Sequence, residues 1–212
     1  MAIGRGNSMV RSLLPATAVI VALSSTAFAA GPADPDWPCV QRKVPEISVG
    51  QVWSGPPVEP IGDSWRDDAV IAELARKLAA RRTAMDEAKE LIARFAAGAG
   101  ADRERRLTAL FAAMLAQING ERASIIAGIG RYAKRQQALA RKIEQQGAEL
   151  DGLPVDGGEE IAARREELQD IQAWDIRIFA EREKALIYVC EQPVLLEQRA
   201  FALAREILSR LR

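Results

Sequence analysis

The sequence predicts an all-α protein: an elongated antiparallel three-helix bundle with a protruding two-helix coiled-coil hairpin and an extended N-terminal strap. Three observations carry that expectation. From Phe111 to Leu150 an apolar stripe advances in alternating steps of four and three through Leu115, Ile118, Ile125, Ile129, Tyr132, Leu139 and Ile143. That spacing keeps residues on one face of a helix. Comparable stripes lie on either side of it, each separated from it by a short glycine-bearing turn. Most of the prolines fall before Gly62, so regular helix is excluded there.

The first element, residues 1–29, has the layout of a cleavable export signal. Arg5 and Arg11 supply positive charge, Leu13 to Leu23 is an apolar core, and Ala27-Phe28-Ala29 offers small residues around the cut. The core is shorter than the roughly 20 residues a membrane span needs, and no later stretch comes close without charges. Cleavage would release a chain without a membrane span, and a periplasmic location is expected. Removing Arg5 and Arg11 takes the 29 basic residues to 27, against 29 acidic ones, a balance that recruits no nucleic acid.

Residues 30–63 are expected to form the strap. Prolines stand at 32, 35, 38, 45, 56, 57 and 60, and Trp37 and Trp53 are large enough to need a docking surface. Ile47, Val49, Gln51 and Trp53 alternate with Ser48, Gly50 and Val52, a weak strand-like period. Cys39 lies in this strap, and the chain has one other cysteine, Cys190. In an oxidising compartment the simplest expectation is a single disulfide between them, closing a loop of about 150 residues. A bond to another chain and a redox-active thiol are the competing readings.

The bundle is expected over residues 64–212. Ser64, with Asp67 and Asp68 behind it, offers a hydroxyl cap and first-turn acid for helix one. Its stripe is Ile71, Leu74, Leu78, Arg81, Met85, Ala88, Ile92 and Phe95, and Gly98-Ala99-Gly100 ends it. Asp102 is placed to cap helix two, which would run back antiparallel to about Leu150, roughly 70 Å. On that ruler helix one covers helix two as far as Arg135, and Trp174 lies level with the start of helix one.

A turn rich in Gly, Asp and Pro from Asp151 to Gly158 separates helix two from helix three. Helix three carries Ile161, Leu168, Ile171, Trp174, Ile178, Ala185 and Val189 as its inward stripe. A kink or brief break is expected at Glu191 to Pro193. Arg81, Arg122, Gln136, Asp175 and Arg182 sit at or near seam positions, where charge must be paired, and Asp175 is expected to meet Arg131 or Arg135. Such intruders either set helix register or mark a seam left open for another helix.

Chemistry is poorly supplied. The chain has no histidine, which removes the commonest general base and transition-metal ligand. Asp151, Asp156, Glu159 and Glu160 surround glycines at the turn, but Leu153, Pro154 and Val155 interrupt the alternating ligands of a calcium loop. No catalytic residue, metal site or cofactor is expected. The functional expectation is therefore an exported, non-enzymatic adaptor or assembly subunit that binds another periplasmic or envelope protein. Leu153 and Val155 at the hairpin tip are the candidate contacts, and self-association is possible through the same tip. The alternative is a holdase-type chaperone for unfolded or membrane-bound clients.

Overall fold

The computed structural model describes residue 34 and residues 36–211. The expected export signal, residues 1–29, and the opening of the expected strap lie outside the described residues. Those described are mostly helical and contain no strand, so the all-α class holds. The helices are α1 (Val49–Val52), α2 (Ala69–Ala79), α3 (Met85–Ala97), α4 (Arg103–Gly152) and α5 (Gly158–Ser209), with 3₁₀ turns at Ser64–Asp67 and Gly100–Asp102.

Several local expectations are corrected. The strand-like alternation in the strap forms one helical turn, α1, because Gln51 Oε1 accepts from the Ser48 N–H at 2.9 Å and Trp53 N–H closes on Val49 O at 2.9 Å. Helix one does not start on Ser64, whose hydroxyl donates to Ile61 O at 2.7 Å. Asp68 caps α2 instead, its Oδ1 accepting from Val70 N at 3.0 Å and Ile71 N at 3.1 Å. Asp102 precedes α4 but makes no side-chain cap; its carboxylate accepts from Arg105 at 3.2 Å.

Helix one is two helices, not one. Residues 80–84 break it without proline or glycine, so propensity gives no warning. The cause is tertiary. From α5, Arg199 Nε donates to Leu78 O at 2.7 Å and Nη2 to Thr83 O at 2.9 Å, satisfying carbonyls that a continuing helix would have used. The chain therefore turns back on itself. Asp68 faces Arg106 at 4.0 Å and Arg81 faces Glu121 at 3.4 Å, so α2 runs parallel to α4, and α3 returns beside it with Lys77 bonded to Glu87 at 2.8 Å. Cover on α4 ends near Glu121 rather than Arg135.

The core lies where α2, α3, the first half of α4 and the last half of α5 meet. Leu78, Ile92, Leu107, Phe111, Met114, Ile118, Leu203 and Ile207 are fully enclosed there. At about 25 cal/mol per Å² of apolar area removed from water, such side chains each contribute roughly 1.5–3 kcal/mol. Trp53 stacks on Phe111 with ring centroids 4.0 Å apart, and Trp65 is also buried. The strap thus supplies part of the core.

Upstream of Trp53 the strap lies along α4 in the opposite direction. Ile47 and Asn119 exchange two hydrogen bonds of 3.0 Å, Val44 O accepts from Arg122 Nε at 3.0 Å, and Asp36 pairs with Lys134 at 3.1 Å. Cys39 and Cys190 are joined, with Cα atoms 5.6 Å apart. Helix α5 runs unbroken through Pro193, against the expected break. Pro193 removes one helical hydrogen bond, but it is buried, as are Cys190 and Leu196 a turn to either side, so packing keeps the helix continuous there.

Candidate interaction surface

Past Arg122 and Cys190, α4 and α5 continue as an antiparallel pair. Polar side chains reach across to the opposite backbone: Tyr132 OH donates to Arg182 O, Gln136 Nε2 to Phe179 O at 3.2 Å, and Gln172 Nε2 to Ile143 O at 3.2 Å. Asp175 is buried in this seam. Its partner is Lys142 at 2.9 Å, with Gln146 Nε2 at 2.8 Å, and not Arg131 or Arg135. Antiparallel register places Lys142 and Gln146 opposite Asp175, about two turns beyond the expected arginines. Bonds first from Lys142 and then from Gln146 hold the Asp175 carboxyl below the ordinary carboxylate range.

The seam is thinly packed. Between Ala133 on α4 and Cys190 on α5 the buried residues are Gln146, Leu168 and Asp175. Gln136 Oε1 and Gln146 Oε1 are buried with no hydrogen-bond partner, a cost an apolar seam would not carry. Tyr132 lies beside Arg135 and Arg182; burial pushes its phenol up, and the two cations oppose that shift.

The tip is more ordered than its composition suggests. Arg165 donates to Leu150 O at 3.3 Å, Leu153 O at 3.0 Å and Pro154 O at 3.2 Å, satisfying carbonyls at the end of α4. Gly158 holds a φ of +71°, and a Cβ on Gly157 would sit 2.4 Å from the Ile161 side chain, so both glycines are demanded by the turn. Of the two candidate contacts, Val155 is 93 % exposed while Leu153 is half-buried. A shallow depression brings Val155 together with Ile161, Ala162 and Arg165, and Leu153 is not part of its lining. Among the described residues, no group of three or more Asp, Glu, Cys or His is placed to hold a metal ion.

The surface that the periodicity missed is on α5. Ile171 and Trp174 belong to the expected inward stripe, yet Trp174 is 59 % exposed and Ile171 is exposed as well. Tyr188, 70 % exposed, joins them, and Ile176 and Ile187 are exposed on the side of α5 that carries Cys190. The correction follows from the break in helix one: the helix expected to cover Trp174 ends near Glu121. Arg177 lies over the Trp174 ring at 5.9 Å and covers it only in part. A sequence signal did exist, since Trp174, Tyr188 and Leu195 lie at multiples of seven and so share a face. No helix among the described residues is long and apolar enough to cross a membrane. Comparison with protein-family models, curated proteins and solved structures finds no match.

Proposed function

We propose that this chain is an exported, non-enzymatic adaptor or assembly subunit that binds another periplasmic or envelope protein through the α4–α5 hairpin. In this reading the hairpin projects from the helical body that α2, α3, the strap and the disulfide stabilise. One observation carries it: the far half of the pair exposes Trp174, Tyr188 and Val155 while burying almost nothing apolar in its own seam. Large aromatic groups in water beside an under-packed seam are the composition of a contact surface. Export accords with the Cys39–Cys190 bond and with the leader-like residues 1–29.

A holdase role is the second reading. It draws on the apolar residues occurring on two sides of α5, with Ile176 and Ile187 opposite Trp174 and Tyr188. A photo-crosslinking residue placed at Val155, and separately at Trp174, in the native cell envelope tests both. One or a few discrete adducts support the adaptor; a broad ladder of clients supports the holdase. Absence of adducts from both positions would remove the hairpin as a contact.

A further inference from the structure

Two series of residues in steps of seven run along the α4–α5 seam, past the end of α2. On α4 the series is Phe111, Ile118, Ile125, Tyr132, Leu139; the first two are fully buried and the last three only half-buried. On α5 it runs the other way, through Arg199, Gln192, Ala185, Ile178 and Ile171. Arg199 donates to Leu78 O and Thr83 O, and Gln192 accepts from Arg81, which places the α5 series against the end of α2 and its following turn.

Beyond Arg81 no described helix continues the cover. What remains beyond the end of α2 is an apolar strip, here called the channel, in which Ile125, Tyr132, Leu139 and Ile178 are half-buried and Ile171, Trp174 and Tyr188 are exposed. Helix α2 itself indicates the shape the channel accepts, since it buries Ile71, Ala75 and Leu78 along the covered end. From Ile125 to Leu139 the open part is about 20 Å long, roughly four helical turns.

The charge around the open part is one-sided. Arg131, Arg135 and Arg182 make no ion pair among the described residues. Three neighbouring carboxylates are already engaged, Glu121 by Arg81, Asp175 by Lys142 and Glu181 by Lys184, and Glu183, seven residues before Cys190, falls on the other side of α5.

We propose that this channel docks an amphipathic helix of a partner protein, apolar on one face and acidic along its flanks. The inference rests on the interaction reading above and names the partner's chemistry. Helix-in-groove recognition uses apolar anchors at i, i+3 or i+4, and i+7, with rim charges setting orientation and selectivity.

The test uses the intact, disulfide-bonded chain and two labelled helical peptides of about 18 residues. Both carry the same leucine face, with Glu on the flanks of one and Lys on the flanks of the other. Fluorescence anisotropy at about 0.1 M salt should show the Glu peptide binding at least about tenfold tighter. Arg135→Glu with Arg182→Glu should reverse that order, and Trp174→Ser should weaken the Glu peptide about tenfold or more without moving the thermal midpoint. Equal affinity for both peptides would overturn the proposal in favour of unselective apolar binding, leaving the interaction reading intact. Binding of neither peptide would also overturn it, as would a concentration-dependent dimer that the Glu peptide does not dissociate, for then a second copy fills the channel. The adaptor reading fails separately, by the absence of envelope crosslinks.

Discussion

Arg122 concentrates more of the tertiary bonding than any seam residue around it, and replacing it with methionine tests how the strap, α4 and α5 are held together. Its side chain is 5 % exposed; Nε donates to Val44 O at 3.0 Å, Nη1 donates to Pro193 O, and Nη2 lies 3.7 Å from a Glu197 carboxylate oxygen. Hydrogen bonds from a charged donor are worth about 1.5–3 kcal/mol each, so the two backbone bonds carry roughly 3–6 kcal/mol in gross terms. Two offsets apply. Val44 is partly exposed, so water can replace one bond, and methionine refills the apolar volume without the cost of burying a guanidinium. Glu197 is 43 % exposed and can be rehydrated, so its pair is discounted almost entirely.

The expected net loss for Arg122→Met is about 2–3 kcal/mol. In urea, with a slope of about 2 kcal/mol per M, the midpoint falls by about 1–1.5 M. Arg122→Lys keeps the charge but not the fork, so it should recover less than half of that loss. Equilibrium unfolding followed by far-ultraviolet circular dichroism gives both values. A midpoint shift below about 0.3 M, or an increase, would refute the reasoning, because it would mean that desolvation of the cation cancels the bonds it makes.

Two further outcomes follow from the same geometry. Cys39→Ser with Cys190→Ser opens a closure spanning 151 positions, for which chain entropy sets a ceiling of about 5 kcal/mol; we expect a loss of about 2–4 kcal/mol, seen as a lower thermal midpoint without reductant. Because Arg122 and the disulfide both retain the strap, their effects should be non-additive when combined, and an unchanged midpoint would show that the bond closes nothing the fold does not already close. For pH, the folded Asp175 carboxyl titrates below its unfolded value near 4, so its contribution is present above about pH 4 and is lost as pH falls through the lowered folded value. Asp175→Asn should flatten the acid limb of stability measured between about pH 6 and 3, though not abolish it, because Asp34 is also held low, chiefly by Lys43. Parallel acid limbs for the two proteins would contradict that assignment.

Much of the fold was legible because long helices write their period into the chain. The stripe from Phe111 to Leu150 and the glycines at the tip place α4, its end and the turn to α5 within a few residues of where they occur. Other features depended on partners far away in sequence. Nothing in Ala80-Arg81-Arg82-Thr83-Ala84 announces a break, since the group that captures the freed carbonyls, Arg199, lies over a hundred residues later. Ser64 and Asp102 had the right chemistry for caps, yet Ser64 bonds to Ile61 and Asp102 to Arg105. The candidate surface was half legible. Turn composition points to Leu153 and Val155, of which Val155 is exposed and Leu153 half-buried, but Trp174 and Tyr188 appear as surface only once helix one is known to stop short.

Periodicity, proline placement and two cysteines determined the all-α class, the long antiparallel-compatible helices, the irregular strap and the one intramolecular pairing open to it. Tertiary structure alone decided where helix one folds back, which carbonyls Arg122 and Arg199 satisfy, and hence which apolar stripe is left uncovered. The physical reason is one of range. Helical period and turn chemistry act over a few neighbouring residues, whereas the exposure of a stripe depends on whether a distant segment arrives to cover it.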